Sequence, residues 1–149
     1  MPNHYTNIAI CLGYDWDRMG EDYEFNVDEF NERHGETNFC SVVMPMPEPI
    51  EQVPEGTCNG KSLKQPGETS WYEWAKKHWG TKWGTYDTKA VQLGGDSAPV
   101  IISFESAWGP PAILDKIAEW LMKTYGFTSI EWLGCDPYDD SIQWPQYAN

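Results

Sequence analysis

The stretch that decides the fold is "WGPPAILDKIAEWLMKTYGFTSIEWL", residues 108–133. Apolar side chains recur in it at the three- and four-residue spacing of an amphipathic helix, at Ile113, Leu114, Ile117, Trp120 and Leu121. Pro110 or Pro111 suits the first helical turn, and Gly126 suits the end of the helix. "TSIEWL" then alternates apolar and polar residues, which is typical of a strand. The stretch therefore predicts a helix with one buried face that leads directly into a strand.

Strand patterns also precede this helix. Residues 82–106 alternate with period two on both sides of the turn "LGGDSAP", which predicts a long antiparallel hairpin. Residues 5–14 predict another strand, with Ile8, Ile10 and Leu12 alternating on one face. The helix of the opening stretch is thus expected to pack on a sheet of several strands.

Two further helices are predicted from their N-terminal residues. Asn26 with Glu29 and Ser70 with Glu73 have the spacing of capping boxes. They open the segments "NVDEFNERHG" and "SWYEWAKKHW". Between the two helices, "FCSVVM" (residues 39–44) is a strand candidate, and the proline-rich "PMPEPIEQVPEG" that follows predicts a rigid connector.

The predicted order is strand, helix, strand, connector, helix, hairpin, helix, strand. An antiparallel sheet with helices packed on one face accounts for this order, so we expect an α+β fold of the ferredoxin-like kind. The length of 149 residues fits one domain. We expect that domain, residues 1–149, to carry an acidic N-terminal insert at residues 15–25 and the proline-rich connector.

The composition predicts a cytoplasmic protein with no membrane partner. No apolar run approaches the roughly 20 residues that a membrane span needs, and the N-terminus "MPNHYTNIAICLGYDWD" lacks the cationic start of a signal peptide. Four cysteines are present, at Cys11, Cys40, Cys58 and Cys135. In the cytoplasm we expect them to be reduced. None of them forms a C-x-x-C pair, so no zinc ribbon or thioredoxin-type site is indicated.

The charge is strongly negative and unevenly distributed. A formal net charge of −13 argues against general coating of DNA by the whole surface. Residues 61–89 nevertheless hold six lysines against three carboxylates, a net charge of +3, which leaves −16 for the remainder of the chain. Such an asymmetry indicates a local site for an anion, or an acidic surface for a basic partner.

No catalytic or metal-binding motif is recognisable. His4, His34 and His78 lack the spacing of zinc ligands. We interpret "DPYDD" (residues 136–140) as a solvated turn, because the rest of a calcium-binding loop is missing. Phosphate-binding glycine loops and nucleophile elbows are also absent from the sequence. We therefore expect a non-enzymatic binding protein with no cofactor and no metal.

The aromatic residues point to what is bound. Nine tryptophans are present, and of these Trp120 and Trp132 lie on buried patterns. Others are concentrated near lysines, and aromatic faces stack bases while lysines neutralise phosphates. The candidate ligand-binding residues are Lys76, Lys77, Trp79, Lys82, Trp83, Tyr86, Trp108 and Arg18. The alternative is that these rings form a second small core, which explains the aromatics but not the clustered lysines.

Several motifs occur in the same order in a known family. They are "MPN" at the start, "VVMPMP" at 42–47, "WYEWAKKHWGTKW" at 71–83, "FESAWGPP" at 104–111 and the terminal "IEW". In these motifs the chain resembles, over nearly its whole length, the ferredoxin-like domain proteins of phage and plasmid genomes, the YubB type. It departs from them after Asn3 and in the acidic insert. The resemblance implies a ferredoxin-like fold, a mobile-element protein and the host cytoplasm, and it supplies no catalytic site.

Two hypotheses about function follow. In the first, the chain is a phage counter-defence protein that sequesters a small anionic, nucleotide-like signal. Lys82 with Lys76 or Lys77 would meet phosphate, tryptophans would stack the base, and a homo-oligomer would be one way to build a concave site. In the second, the chain is an acidic inhibitor that binds a host protein or mimics nucleic acid. Its acidic run would be Asp15, Asp17, Glu21, Asp22 and Glu24.

Overall fold

The computed structural model describes residues 4–47, 70–92, 94, 98–136 and 139–143. Most of the predicted proline-rich connector lies outside the described residues, as do Cys58, Lys61 and Lys64. The side chains of Cys135 and of the "DPYDD" segment also lie outside them. The roles predicted for these residues therefore stay predictions.

The fold is α+β, with one antiparallel sheet of five strands. The strands are β1 (His4–Tyr14), β2 (Tyr86–Gln92), β3 (Val100–Ala107), β4 (Phe127–Asp136) and β5 (Asp139–Gln143). Their order across the sheet is β2-β3-β1-β4-β5. The first strand is central and pairs antiparallel with both β3 and β4. The predicted hairpin is present as β2 and β3, but its first strand begins at Tyr86 rather than at residue 82.

Five helices are described. They are α1 (Trp16–Met19), α2 (Val27–His34), α3 (Phe39–Val43), α4 (Trp71–His78) and α5 (Leu114–Tyr125). The predicted caps are confirmed: the side chain of Asn26 accepts from the amide of Glu29, and that of Ser70 accepts from the amide of Glu73. Gly126 ends α5 in the left-handed conformation, at φ 78°.

The prediction of a strand at residues 39–44 is wrong. Those residues form α3, because the side chain of Asn38 caps the amide of Ser41 at 3.3 Å. The amide of Phe39 meanwhile donates to Oγ1 of Thr85 at 2.8 Å. The prolines before α5 also lie outside that helix, which begins at Leu114.

One face of the sheet is covered by the helices. Helix α2 packs on β2 and α5 packs on β4. The buried stripe of α5 comprises Ile113, Leu114, Ile117, Ala118 and Leu121, and it joins a single core with Ile102, Phe104 and Trp132 of the sheet. Trp132 is buried as predicted, and Trp120 is half-buried against this core.

The strand β1 turns its odd-numbered side chains from Tyr5 to Cys11 toward the helices. Tyr5, Asn7, Ala9 and Cys11 are buried there. The aliphatic side chains at positions 8, 10 and 12, which share one face as predicted, lie on the opposite side and are only half-buried.

The two cysteines with described side chains are buried and free. Burial raises the pKa of Cys11 to about 12, and that of Cys40 also to about 12. Both therefore stay as thiols and pack as small apolar groups. None of the helices in the described part of the chain is long and apolar enough to cross a membrane.

Candidate functional site

Helix α4 presents its lysines on the surface. The Ser70 cap fixes its start, and Trp74 and Ala75 on its inner face are buried in the core. Lys76 and Lys77 are exposed in its last turn, where positive charge is favourable beside the carbonyl end of a helix dipole. The helix therefore holds cations at a fixed position above the core.

The turn after α4 is fixed by close backbone contact. Gly80 has φ +80°, and a Cβ at this position would lie 2.9 Å from the Cβ of Ala112. The amide of Ala112 donates to the carbonyl of Trp79 at 2.8 Å. This turn places Lys82 and Trp83 beside α4, at the entry to β2.

Trp79 lies in the core rather than at a ligand site. Its exposed fraction is 4%. Its indole nitrogen donates to the backbone carbonyl of Met44 at 2.8 Å, and its ring stands edge-on to Trp74 with 5.4 Å between centroids. Trp79 therefore belongs to the single core of the domain rather than to a second small core, and we leave it out of the candidate site.

Four other predicted residues gather around Tyr72. The ammonium groups of Lys76 and Lys82 lie 4.8 Å and 5.7 Å from the centroid of the Tyr72 ring. The ammonium of Lys82 is also 5.0 Å from the centroid of the Trp83 ring. These distances are typical of cation–π contacts. Trp108 stands edge-on to Tyr72, with 6.2 Å between centroids. We call Tyr72, Lys76, Lys82, Trp83 and Trp108 the Tyr72 cluster.

Trp108 is held in an unfavourable backbone conformation. Its φ is +75°, in the left-handed region that bulky residues rarely adopt, and 43% of its surface is exposed. The turn is braced by the hydroxyl of Ser106, which donates to the carbonyl of Gly109 at 2.6 Å. A strained backbone that displays a large exposed ring is a feature concentrated at binding sites.

Tyr86 connects the cluster to the sheet. Its hydroxyl contacts Nδ1 of His4, and its ring stands edge-on to that of His4 with 5.6 Å between centroids. Its pKa is raised, chiefly because burial disfavours the charged phenolate and also because the carboxylate of Glu105 is near. Tyr86 therefore stays neutral.

Besides Trp79 and Tyr86, two further predicted residues lie outside the cluster. Arg18 donates from its guanidinium to the carbonyls of Met122 and Lys123, each at 2.8 Å, and lies 3.6 Å from the Asp15 carboxylate. It therefore caps the C-terminus of α5. Lys77 is exposed on α4 and has no ring or carboxylate partner among the described residues.

The cluster is suited to binding an anion that carries a flat ring. Neither Lys76 nor Lys82 forms an ion pair within the described part of the chain, so both ammonium groups are available to a phosphate. Trp108 presents ring surface to solvent beside them. Elsewhere in the described ranges, no group of three His, Cys, Asp or Glu residues is placed to hold a metal ion.

The sequence reasoning missed Tyr72, which is the centre of the cluster. The signal was available, because Tyr72 and Lys76 are four residues apart and such pairs meet on the surface of a helix.

Comparisons with protein-family models, with curated proteins and with solved structures found no match to this chain.

Proposed function

We propose that this protein binds a small anionic, nucleotide-like ligand at the Tyr72 cluster without transforming it. The observation that carries the proposal is that two ammonium groups, neither in an ion pair with a described residue, share one tyrosine ring beside an exposed tryptophan. In this arrangement the lysines meet phosphate, and Trp108 stacks the base. A stacked base contributes about 1–3 kcal/mol.

The electrostatics support an anion at this place. The whole chain carries −13, yet the segment that contains Lys76 and Lys82 is net positive. The field of the acidic remainder repels anions elsewhere, so an anionic ligand is directed to this segment. The lysines already lie close to the rings, and this preorganisation lowers the entropic cost of ordering them on binding.

We further propose that the fold is ferredoxin-like, with β5 added at one edge. The supporting observation is the order β2-β3-β1-β4, with every neighbouring pair antiparallel. Two helices, α2 and α5, pack on this sheet, which suits the split βαβ pattern. This agrees with the resemblance to YubB-type proteins. On that resemblance we propose a phage-type protein that acts in the host cytoplasm and sequesters a nucleotide-like signal of host defence.

The test is a thermal-shift panel of cyclic and linear nucleotides, followed by calorimetry on each hit. The bound ligand is then released by heat and identified by chromatography. We expect a stabilising ligand that is recovered unchanged. Lys82→Ala should abolish the thermal shift and lower the melting temperature of the free protein only modestly, because half-buried Lys82 contributes cation–π contacts of about 0.5–1 kcal/mol each. Lys116→Ala, an exposed lysine on α5, is the matched control that should retain the shift.

Three outcomes contradict the proposal. A ligand recovered in altered form would make the protein an enzyme. A shift that Lys82→Ala and Lys116→Ala both retain would place the ligand elsewhere. A complete panel without any shift would remove the ligand-binding function.

A second candidate function, binding of a basic host protein, is favoured by the surface around α1 and α2. Residues 15–36 hold nine carboxylates and two arginines. Both arginines are engaged within the chain: Arg18 caps α5, and Arg33 pairs with Glu29 at 3.1 Å. Nine carboxylates against two arginines give residues 15–36 a net charge of −7, which speeds encounter with a basic partner. Loss of affinity for an identified host protein on reversing Glu21 and Asp22 to lysine, with the nucleotide panel negative, would establish this function instead.

A further inference from the structure

The face of the sheet that the helices leave open carries an unexpectedly apolar centre. Strand register places on that face the aliphatic side chains of Ile8, Ile10, Leu12, Val91, Ile101 and Leu133. All six are half-buried. None belongs to the core or to the partly buried residues packed against it.

In β1 this distribution departs from that of an antiparallel sheet with one solvated face. Such sheets place apolar residues toward the helices and polar residues toward water. In β1 the helix side instead takes Asn7 and Ala9, while the open side takes Ile8 and Ile10. Contiguous apolar surface of this kind marks an interaction site.

We propose that this open face is the interface of a homodimer. A two-fold axis in the interface plane, parallel to the strands, would place β2 of one copy over β4 of the other. The apolar centre on β1 and β3 would then meet its own copy. A two-fold interface uses the same patch on both subunits, so the patch must be complementary to itself.

The charges at the margins of the face meet that requirement. Lys89 on β2 lies in the row of Ser103 and Ile8, and Glu131 on β4 lies in the row of Ile10. Both side chains are exposed. The proposed axis brings Lys89 of one copy over β4 of the other copy. There it lies about two residues, or 7 Å, along the strand from Glu131. The two long side chains span this distance. Two equivalent ion pairs therefore flank the apolar centre.

The size of the face suits a dimer of moderate strength. Four strands about 4.8 Å apart and about seven residues long give roughly 450 Å² of flat area per copy. The pair then buries about 900 Å² before the relief of the side chains is counted, which is near the lower limit of specific interfaces. We expect dissociation at concentrations of micromolar order.

A second copy fits this face better than a basic partner does. Lys89, Glu105 and Glu131 are the charged residues that the register places on the described face, so the face is nearly neutral. A basic protein would be drawn to the carboxylates of residues 15–36 instead. An apolar, nearly neutral and self-complementary patch is the composition of a homodimer interface.

The dimer also bears on the ligand site, and this step rests on the proposed function. His4 and Tyr86 lie on the same open face, since Tyr86 and Thr6 are both paired with Glu105. The Tyr72 cluster thus begins where the apolar patch ends. A second copy on the patch would form a wall beside the cluster and make an exposed surface concave.

The first test measures the mass of the full chain in solution by sedimentation over a range of concentrations. We expect wild-type protein to be a dimer that dissociates on dilution. Ile10→Lys places a charge at the centre of the patch and should raise the dimer dissociation constant at least about 100-fold. Val42→Lys, at an exposed aliphatic residue on α3 away from the sheet, should leave the dimer intact. Circular dichroism and melting of both variants check that each is folded. A wild-type monomer at the highest concentration reached, or a folded dimeric Ile10→Lys variant, would overturn the proposal.

The second test reverses the charges. Lys89→Glu alone and Glu131→Lys alone should each raise the dissociation constant about fivefold or more, since each sets like charges opposite one another. The double variant should return to within about twofold of wild type, because the pairs are restored with opposite polarity. A double variant as weak as the two single variants combined would overturn the proposed axis.

Ligand binding is measured separately so that the two proposals fail independently. Lys82→Ala should remain dimeric without binding nucleotide. Ile10→Lys should be monomeric and should bind nucleotide at least about tenfold more weakly if the second copy completes the site. Unchanged nucleotide binding by a monomeric Ile10→Lys variant would mean that the second copy does not contribute to the ligand site. The proposed function would not be contradicted by that result.

Discussion

The ring of Tyr72 stands edge-on to the ring of Trp108, with 6.2 Å between centroids and an angle of 81° between the planes. This contact joins α4 to the turn after β3, two elements that are distant in the sequence. It places the lysines that surround Tyr72 beside the most exposed large ring of the described residues. The geometry of the proposed site therefore depends on a residue that contributes no charge.

Substitution of Tyr72 separates the role of its ring from that of its hydroxyl. Tyr72→Phe keeps the face over which both ammonium groups lie, so nucleotide affinity should stay within about twofold of wild type. Tyr72→Leu removes that face and frees Lys76 and Lys82, which should raise the dissociation constant about three- to fivefold, or about 0.5–1 kcal/mol. Calorimetric titration measures both. Equal affinity of the two variants would mean that Tyr72 is not the organising residue.

Substitution of Trp108 should remove nucleotide binding, and its effect on the free energy of unfolding should depend on whether the new residue tolerates a positive φ. Trp108→Gly removes the exposed ring and also the strain of a side chain at φ +75°. Trp108→Ala removes the ring and keeps the strain. We expect both variants to lose nucleotide binding, and the glycine variant to have a free energy of unfolding about 1 kcal/mol higher than the alanine variant. Urea denaturation measures the difference.

The comparison of the glycine variant with the alanine variant is the control in this experiment, since both variants lack the Trp108 ring. An alanine variant as stable as the glycine variant would mean that the turn relaxes and that no strain is stored there. Retained nucleotide binding in either variant would contradict stacking on Trp108.

Local patterns were enough to predict most of the fold. Helix α5 and strand β4 follow from apolar periodicity and from a glycine that ends the helix. The same reasoning failed at "FCSVVM", whose β-branched and aromatic residues favour a strand. Tertiary contacts decide that segment, because Asn38 accepts from the amides of both Ser41 and Thr85. Residue 85 is too distant in the sequence for a local pattern to include it.

The sequence predicted the kinds of residue in the candidate site better than it predicted which particular residues lie there. Clustered lysines and rings in one segment brought Lys76, Lys82 and Trp83 together in the prediction, as the structure does. The sequence does not reveal that Trp79 turns inward to donate to Met44, because its neighbours on both sides are polar or small. The contacts of Arg18 were not predictable for a similar reason, since the helix end that it caps lies more than 100 residues away in the sequence.

Arg18 should contribute to stability and not to ligand binding. Arg18→Ala deletes two hydrogen bonds from the guanidinium to the carbonyls at the end of α5. We expect the free energy of unfolding to fall by about 1 kcal/mol. Arg18→Lys keeps the positive charge near the helix end and should lose less. A variant with wild-type stability and weakened nucleotide binding would instead return Arg18 to the ligand site.

The stability of the fold should fall as the pH decreases below about 6.5, the ordinary pKa of histidine, because of His34. Its Nε2 lies 2.7 Å from the hydroxyl of Tyr125 and its Nδ1 lies 2.9 Å from Oγ1 of Thr37. Burial, and secondarily the charge of Arg33, lowers the pKa of His34 in the folded protein. Below about pH 6.5 the unfolded chain therefore binds more protons than the folded chain. The free energy of unfolding rises with pH up to about pH 6.5 and is level above it.

Urea denaturation of wild-type protein and of His34→Gln, repeated across pH 5–8, isolates this contribution. His34→Gln should be less stable than wild type at neutral pH, since a well-packed ring is lost, and should show a shallower slope below pH 6.5. A His34→Gln variant that keeps the wild-type slope below pH 6.5 would contradict this role of His34.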